Sequence, residues 1–214
     1  MSFRALLWKD VRREMRGRES LQAGLVLVGL LFVLYLFAVA DLRDDRLAVV
    51  ALWTPILYGS AALAGRGTAG EVQRGTLALL QSAPVPVAWH GWSRTLVNLV
   101  LVAILAALAL LLGAAGFLLP LSPALWLVAG LAVVGLGVAG SLAGALAAQA
   151  RASEVLMPIL LVPVAAPLVQ AGVVATFAAL DGALDRSALL LMLGYDLVLV
   201  GVAWMLWPFA LETD

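Results

Sequence analysis

The chain has no cysteine, one histidine and one lysine among 214 residues, and only 12% of its positions are charged. Without thiols there are no disulfides, no thiol redox chemistry, no Cys-ligated metal and no covalent haem attachment. The single lysine, Lys9, does not close a Gly-rich phosphate loop, so the chain cannot hydrolyse ATP by itself. No His-rich metal cluster, nucleophile triad or pair of intramembrane carboxylates stands in the sequence. Thirteen basic and thirteen acidic residues cancel, which gives a nucleic-acid interface no electrostatic footing. The first apolar run starts only near Leu21, and no small-residue cleavage site follows it before a charged loop. The opening segment is therefore expected to stay on the protein rather than act as a cleavable signal.

What fills the chain instead is apolar: 64% of it, against a charged fraction half the roughly 25% of a soluble domain. Crossing about 30 Å of hydrocarbon takes roughly 20 such residues. Six stretches qualify, at 21–40, 47–65, 95–119, 124–150, 155–180 and 188–210. The expected fold is all-α, a polytopic membrane protein in one transmembrane domain spanning 1–214, with an amphipathic helix over 1–20. The fifth stretch carries Pro158, Pro163 and Pro167 and is expected to kink or break, since proline lacks the amide donor. It still reads as a span, because neighbouring helices can satisfy the freed carbonyls.

Basic residues set the orientation. Arg4, Lys9, Arg12, Arg13, Arg16, Arg18, Arg66, Arg74, Arg94 and Arg151 fall on one side, and Arg43, Arg46 and Arg186 on the other. Ten against three places both termini in the cytoplasm. The opposite loops, "DLRDDR" and "DGALDRS", are too short for an outer domain.

The longest connection, 66–94, is then cytoplasmic. Val72, Thr76, Leu79 and Leu80 recur there at helical spacing, Glu71 stands where an acid favours a helix N-terminus, and "APVPV" ends the pattern. Two readings are open: an interfacial helix lying on lipid, or a coupling helix seated in a groove of a cytoplasmic partner. The N-terminal segment offers a second amphipathic helix, with Phe3, Leu7, Val11 and Met15 as its stripe, widened by Leu6 and Trp8. Its arginines suit anionic headgroups; docking to a soluble partner is the rival reading.

Inside the spans Asp196 is the one acid set deep, about 12 Å from the outer end of its span. Gln170, Thr54 and Tyr58 fall at similar depth, and the expectation is a polar clasp with one of them; a conduit or gating role is the alternative. Gly137, Gly140 and Gly144 recur on the fourth span, a face suited to close helix packing within the subunit or across a dimer.

An N-terminal elbow, six spans and a cytoplasmic coupling loop between spans two and three resemble a small ABC-2-type permease. More narrowly the chain resembles the haem exporter protein B (CcmB) family of cytochrome c maturation. "EVQRGTLALLQSAPVP" is similar to the family's Asp-x-x-Asp-Gly-Ser-Leu motif followed by Pro-x-Pro, with Glu71, Arg74, Gly75, Thr76 and Leu77 at the motif positions. "ILLVPVAAPL", with Pro163 and Pro167, echoes a Pro-x-x-x-Pro of the family's fifth span. Thr68 stands where the family has an aromatic, and Arg74 reverses the charge of its second Asp.

The resemblance implies a non-catalytic permease subunit, present as two copies beside two copies of a cytoplasmic ATPase, a haem-handling membrane protein and a small helper. It implies residence in the cell inner membrane, and ATP hydrolysis driving release of a haem-loaded periplasmic chaperone. ATPase coupling would then rest on Glu71, Arg74, Gly75, Thr76, Leu77, Leu79 and Leu80. No cofactor is expected on this chain itself: ATP belongs to the partner, haem to the complex. His90 is expected in the solvated loop, and Met157, Met192 and Met205 are expected to pack rather than ligate. A lipid-like or drug-like cargo, or a scaffold that moves nothing, are the alternatives.

Overall fold

A computed structural model describes residues 3–17, 19–39, 45–73, 86–148 and 153–210. These form seven helices: α1 (Phe3–Gly17), α2 (Glu19–Val39), α3 (Asp45–Gln73), α4 (Val87–Phe117), α5 (Pro123–Ala148), α6 (Ser153–Leu180) and α7 (Arg186–Ala210). Helices α2 to α7 are each long and apolar enough to cross a membrane. In hydrocarbon a helix satisfies its own backbone, which is why apolar runs of this length take that form.

Four of the six spans begin and end within two residues of their expected limits. The other two do not. Helix α3 runs on to Gln73 and α4 begins at Val87, so helix occupies 66–73 and 87–94 of the connection expected to be a loop. Gly65, Gly67 and Gly70 lie in the last turns of α3. A helix already nucleated by a buried span propagates through a glycine at about 1 kcal/mol each, so they do not stop it. At 29 and 31 residues, α3 and α4 are longer than the roughly 20 residues a bilayer core requires. Both project at the end of the bundle that carries the 74–85 connection.

The fifth span also departs from expectation. Helix α6 is unbroken from Ser153 to Leu180, with all three prolines inside it. The Tyr195 hydroxyl of α7 donates to the Val164 carbonyl, three residues before Pro167, where the ring disturbs the helical ladder. The carbonyl that Pro167 deprives of its helical donor is the preceding one, of Pro163, so this bond ties α7 to α6 beside that turn.

Helices α3 and α5 form the centre. Each packs against four others: α3 against α2, α4, α5 and α6, and α5 against α3, α4, α6 and α7. Within the apolar windows 67% of α3 and 61% of α5 is buried, against 17% of α2 and 22% of α7. The last two are therefore rim helices. Two tight hairpins close the far end. Leu118 turns left-handed at φ 55° after α4, and Ser122 caps α5 by accepting from the Leu125 amide at 3.2 Å. Gly182, at φ 73°, ends α6 with the Ala183 amide on the Ala178 carbonyl at 2.9 Å. Asp185 then caps α7, accepting from the Ser187 hydroxyl and from the amides of Ser187 and Ala188. The Ser187 hydroxyl, followed by those amides, holds its carboxyl below the ordinary carboxylate range.

Candidate functional site

Glu71 lies in the last turn of α3. Glu71 and Val72 thus end a helix where the sequence pattern predicts the start of another, and Arg74, Gly75, Thr76, Leu77, Leu79 and Leu80 lie outside the described residues. Their mounting is described. Pro86 precedes α4 at φ −54° and ψ 127°, and its carbonyl accepts from the Trp89 amide at 2.9 Å. Proline's fixed φ suits this entry into a helix.

The first two turns of α4 then gather the ends of the chain. Phe3 of α1 meets Trp89 edge to face at 6.0 Å between ring centroids. The Ser93 hydroxyl donates to Asp10, whose other carboxylate oxygen pairs with Lys9 at 3.1 Å. Trp92 meets Trp204 of α7 at 5.8 Å. Trp207 is fully buried over Gly91, where an added Cβ would lie 2.1 Å from the indole Cδ2. Only glycine admits that ring. Both the N-terminal helix and the end of α7 therefore sit at the bundle end that carries the 74–85 connection.

This packing corrects two readings. His90 is not a solvated loop residue: it lies in the first turn of α4 and is buried beneath the elements that dock there. The docked face of α1 overlaps the Phe3–Leu7–Val11–Met15 stripe at Phe3, with Leu7 and Val11 half-buried, and is turned from it towards Asp10. Leu6 and Asp10 are the buried positions, and Met15 and Trp8 are exposed.

Within the membrane the expected clasp at Asp196 is absent. Gln170 is exposed, Tyr58 is 46% exposed, and Thr54 instead accepts from the Tyr35 hydroxyl at 3.3 Å. Asp196 is 3% exposed, and neither carboxylate oxygen has a hydrogen-bond partner among the described residues. It lies against the backbone of α5 at Gly135, where a Cβ would fall 2.5 Å from Oδ1 and 2.3 Å from Leu168 Cδ2. Equal depth in sequence did not place the four groups on facing sides of their helices.

The polar pairs that do form link the central helices. Trp53 of α3 donates from Nε1 to Thr176 of α6 at 3.1 Å, and Thr176 donates to the Gly172 carbonyl at 2.7 Å. Asn98 of α4 donates to the Gly137 carbonyl at 2.9 Å and to Ser141 at 3.1 Å. On the glycine face of α5, Gly137 backs onto Leu99 and Gly140 onto Ala64 and Asn98, all within this subunit; Gly144 is buried. Sequence reading did not single out Asn98, although an amide inside an apolar run is a visible signal. Gly135, Gly172 and Gly91 carry none. Met157 and Met192 are buried, while Met205 is 71% exposed. Among the described residues no group of three or more His, Asp or Glu could hold a metal ion.

A connection is held at the tips of two long helices, and the second of those helices grips both the first and the last helix of the chain. No curated protein matches the chain. The CcmB protein family matches residues 1–213, practically its whole length. With six membrane-crossing helices and that match, the chain belongs to the CcmB protein family, the membrane permease component of a haem-exporting ABC transporter of cytochrome c biogenesis.

Proposed function

We infer that this subunit converts ATP hydrolysis by a separate cytoplasmic ATPase into movement of its spans, and that this movement releases a haem-loaded periplasmic chaperone. In this reading two copies of the permease pair with two copies of the ATPase, alongside a haem-handling membrane protein and a small helper. Both termini and the 74–85 connection face the cytoplasm, in the cell inner membrane. ATP is bound by the partner and haem is handled by the complex, with neither held by this chain. The coupling residues are Glu71, Arg74, Gly75, Thr76, Leu77, Leu79 and Leu80.

One observation carries the reading: the motif segment is borne on two helices that outrun the membrane, and α4 is locked at its first turns to α1 and α7. A push on 74–85 is transmitted by a rigid rod, since a helix yields little along its axis. The ten basic residues on that side of the chain favour the cytoplasm for it. Replacing Leu79 and Leu80 together with Glu is expected to weaken copurification of the ATPase, or to leave an assembled complex whose hydrolysis no longer releases the chaperone. A complex with unchanged assembly, ATPase activity and release would remove coupling from this segment.

A further inference from the structure

Asp196 lies ten residues into α7 from Arg186, about 15 Å along the helix and so near the middle of the bilayer. Its carboxyl is enclosed by α5 and α6 at Gly135 and Leu168. Every helix packed against α7 can be inspected for a counter-charge. Helix α5 contains no charged or titratable residue from Pro123 to Ala148. Helix α6 offers none beyond Glu154 at its inner end. Helix α4 offers His90 and Arg94, in the first turns at the inner end. On α7 itself the neighbouring Tyr195 is engaged with the Val164 carbonyl, and Arg186 is at the outer end. The carboxyl therefore has no cation and no hydrogen-bond donor in reach among the described residues.

A carboxylate held in hydrocarbon without either is far costlier than its neutral acid. A neutral acid fits what surrounds it. Its O–H can turn back to a carbonyl of its own helix, as Thr176 does to Gly172 at 2.7 Å and Ser141 to Gly137 at 2.8 Å on the adjoining spans.

We propose that Asp196 is a proton-binding site, occupied while α7 is packed against Gly135 of α5 and emptied when the two helices part. On separation, water enters the seam, the acid O–H breaks, and the proton passes to that water, leaving a hydrated carboxylate. Reclosure requires a proton to be taken up again. The seam belongs to a rim helix, most of whose apolar window faces outward rather than into the bundle. Besides this seam, α7 is held by the Tyr195 hydrogen bond to α6 and, at its inner end, by Trp204 and Trp207 against α4.

The test is isotope-edited infrared spectroscopy of the full chain in nanodiscs, with labelled aspartate and Asp196→Asn as the reference. At neutral pH the wild-type minus variant difference is expected to contain the carbonyl stretch of a carboxylic acid. A difference containing only carboxylate stretches overturns the proposal. Unfolding midpoints supply a second reading. Asp196→Asn, neutral and of the same shape, is expected to match the wild type in acid, where the unfolded chain also holds the proton, and to become the more stable of the two as the pH rises from the ordinary carboxylate range through neutral. A variant that fails to fold at neutral pH, or a gap that does not change with pH, overturns it equally.

Discussion

The seam between α3 and α6 and the seam between α5 and α7 both depend on a glycine, yet they are built oppositely. At Gly172 the indole of Trp53 fills the space a Cβ would take, and its Nε1 is bonded to Thr176. At Gly135 the space is taken by Leu168 and by a carboxyl bonded to nothing described. Lipid tails are as apolar as leucine, so burial of apolar surface does not hold spans together; contact and interhelical hydrogen bonds do. A seam with both is a fixed joint. A seam with contact alone, and with an ionisable group inside it, is the weaker of the two. The centre is thus held by hydrogen-bonded joints, whereas the α5–α7 seam has contact without one among the described residues.

The largest effect is expected where the centre is tightest. Gly172→Ala brings a methyl to 2.1 Å from Trp53 Cη2 and forces the indole off Thr176. It should cost about 3 kcal/mol, the upper end for overpacking, read from unfolding titrations in mixed micelles. A loss below about 1 kcal/mol would show that the joint yields, and the contrast with the rim would fall. Next comes the α4–α5 contact. Asn98→Leu removes the donor to the Gly137 carbonyl and to Ser141, and should cost about 1 kcal/mol by the same measurement. A neutral result would mean that glycine packing alone holds the centre.

The smallest effect lies on the rim, at the cap of α7. The carboxyl of Asp185 is held below its ordinary range by the Ser187 hydroxyl and by the amides behind it. A lowered folded-state value means that the cap's contribution is present above the ordinary carboxylate range and is lost as the pH falls through the lowered value. Asp185→Ala should therefore unfold slightly before the wild type at neutral pH, with the gap closing in acid. A gap that persists in acid would assign the cap to shape rather than charge.

Much of this was legible beforehand because the bilayer imposes a length. Any apolar run of about 20 residues has few options, so four spans were placed to within two residues. The errors share a cause. The residues after 65 carry the polarity of a loop and the prolines of α6 the signature of a break, yet both report local preference only. Tertiary packing overrides such preference when a span is already anchored. The clasp at Asp196 failed differently. Depth along a helix is a sum of residues, but which groups face one another depends on the rotation of each helix about its axis.

Composition and pattern alone determined that this chain crosses a membrane six times, that its basic side carries both ends and the long connection, and that it contains no phosphate loop of its own. The tertiary structure decided which helices lie at the centre, that α1 docks through Leu6 and Asp10 with Phe3 on Trp89, that His90 is covered, and that Asp196 lacks a partner among the described residues. Partition into lipid is a property of each segment summed over its residues, so it can be read one segment at a time. Facing contacts are properties of pairs, fixed by helix rotation and by where a glycine lets a ring or a carboxyl approach, and no single segment contains them.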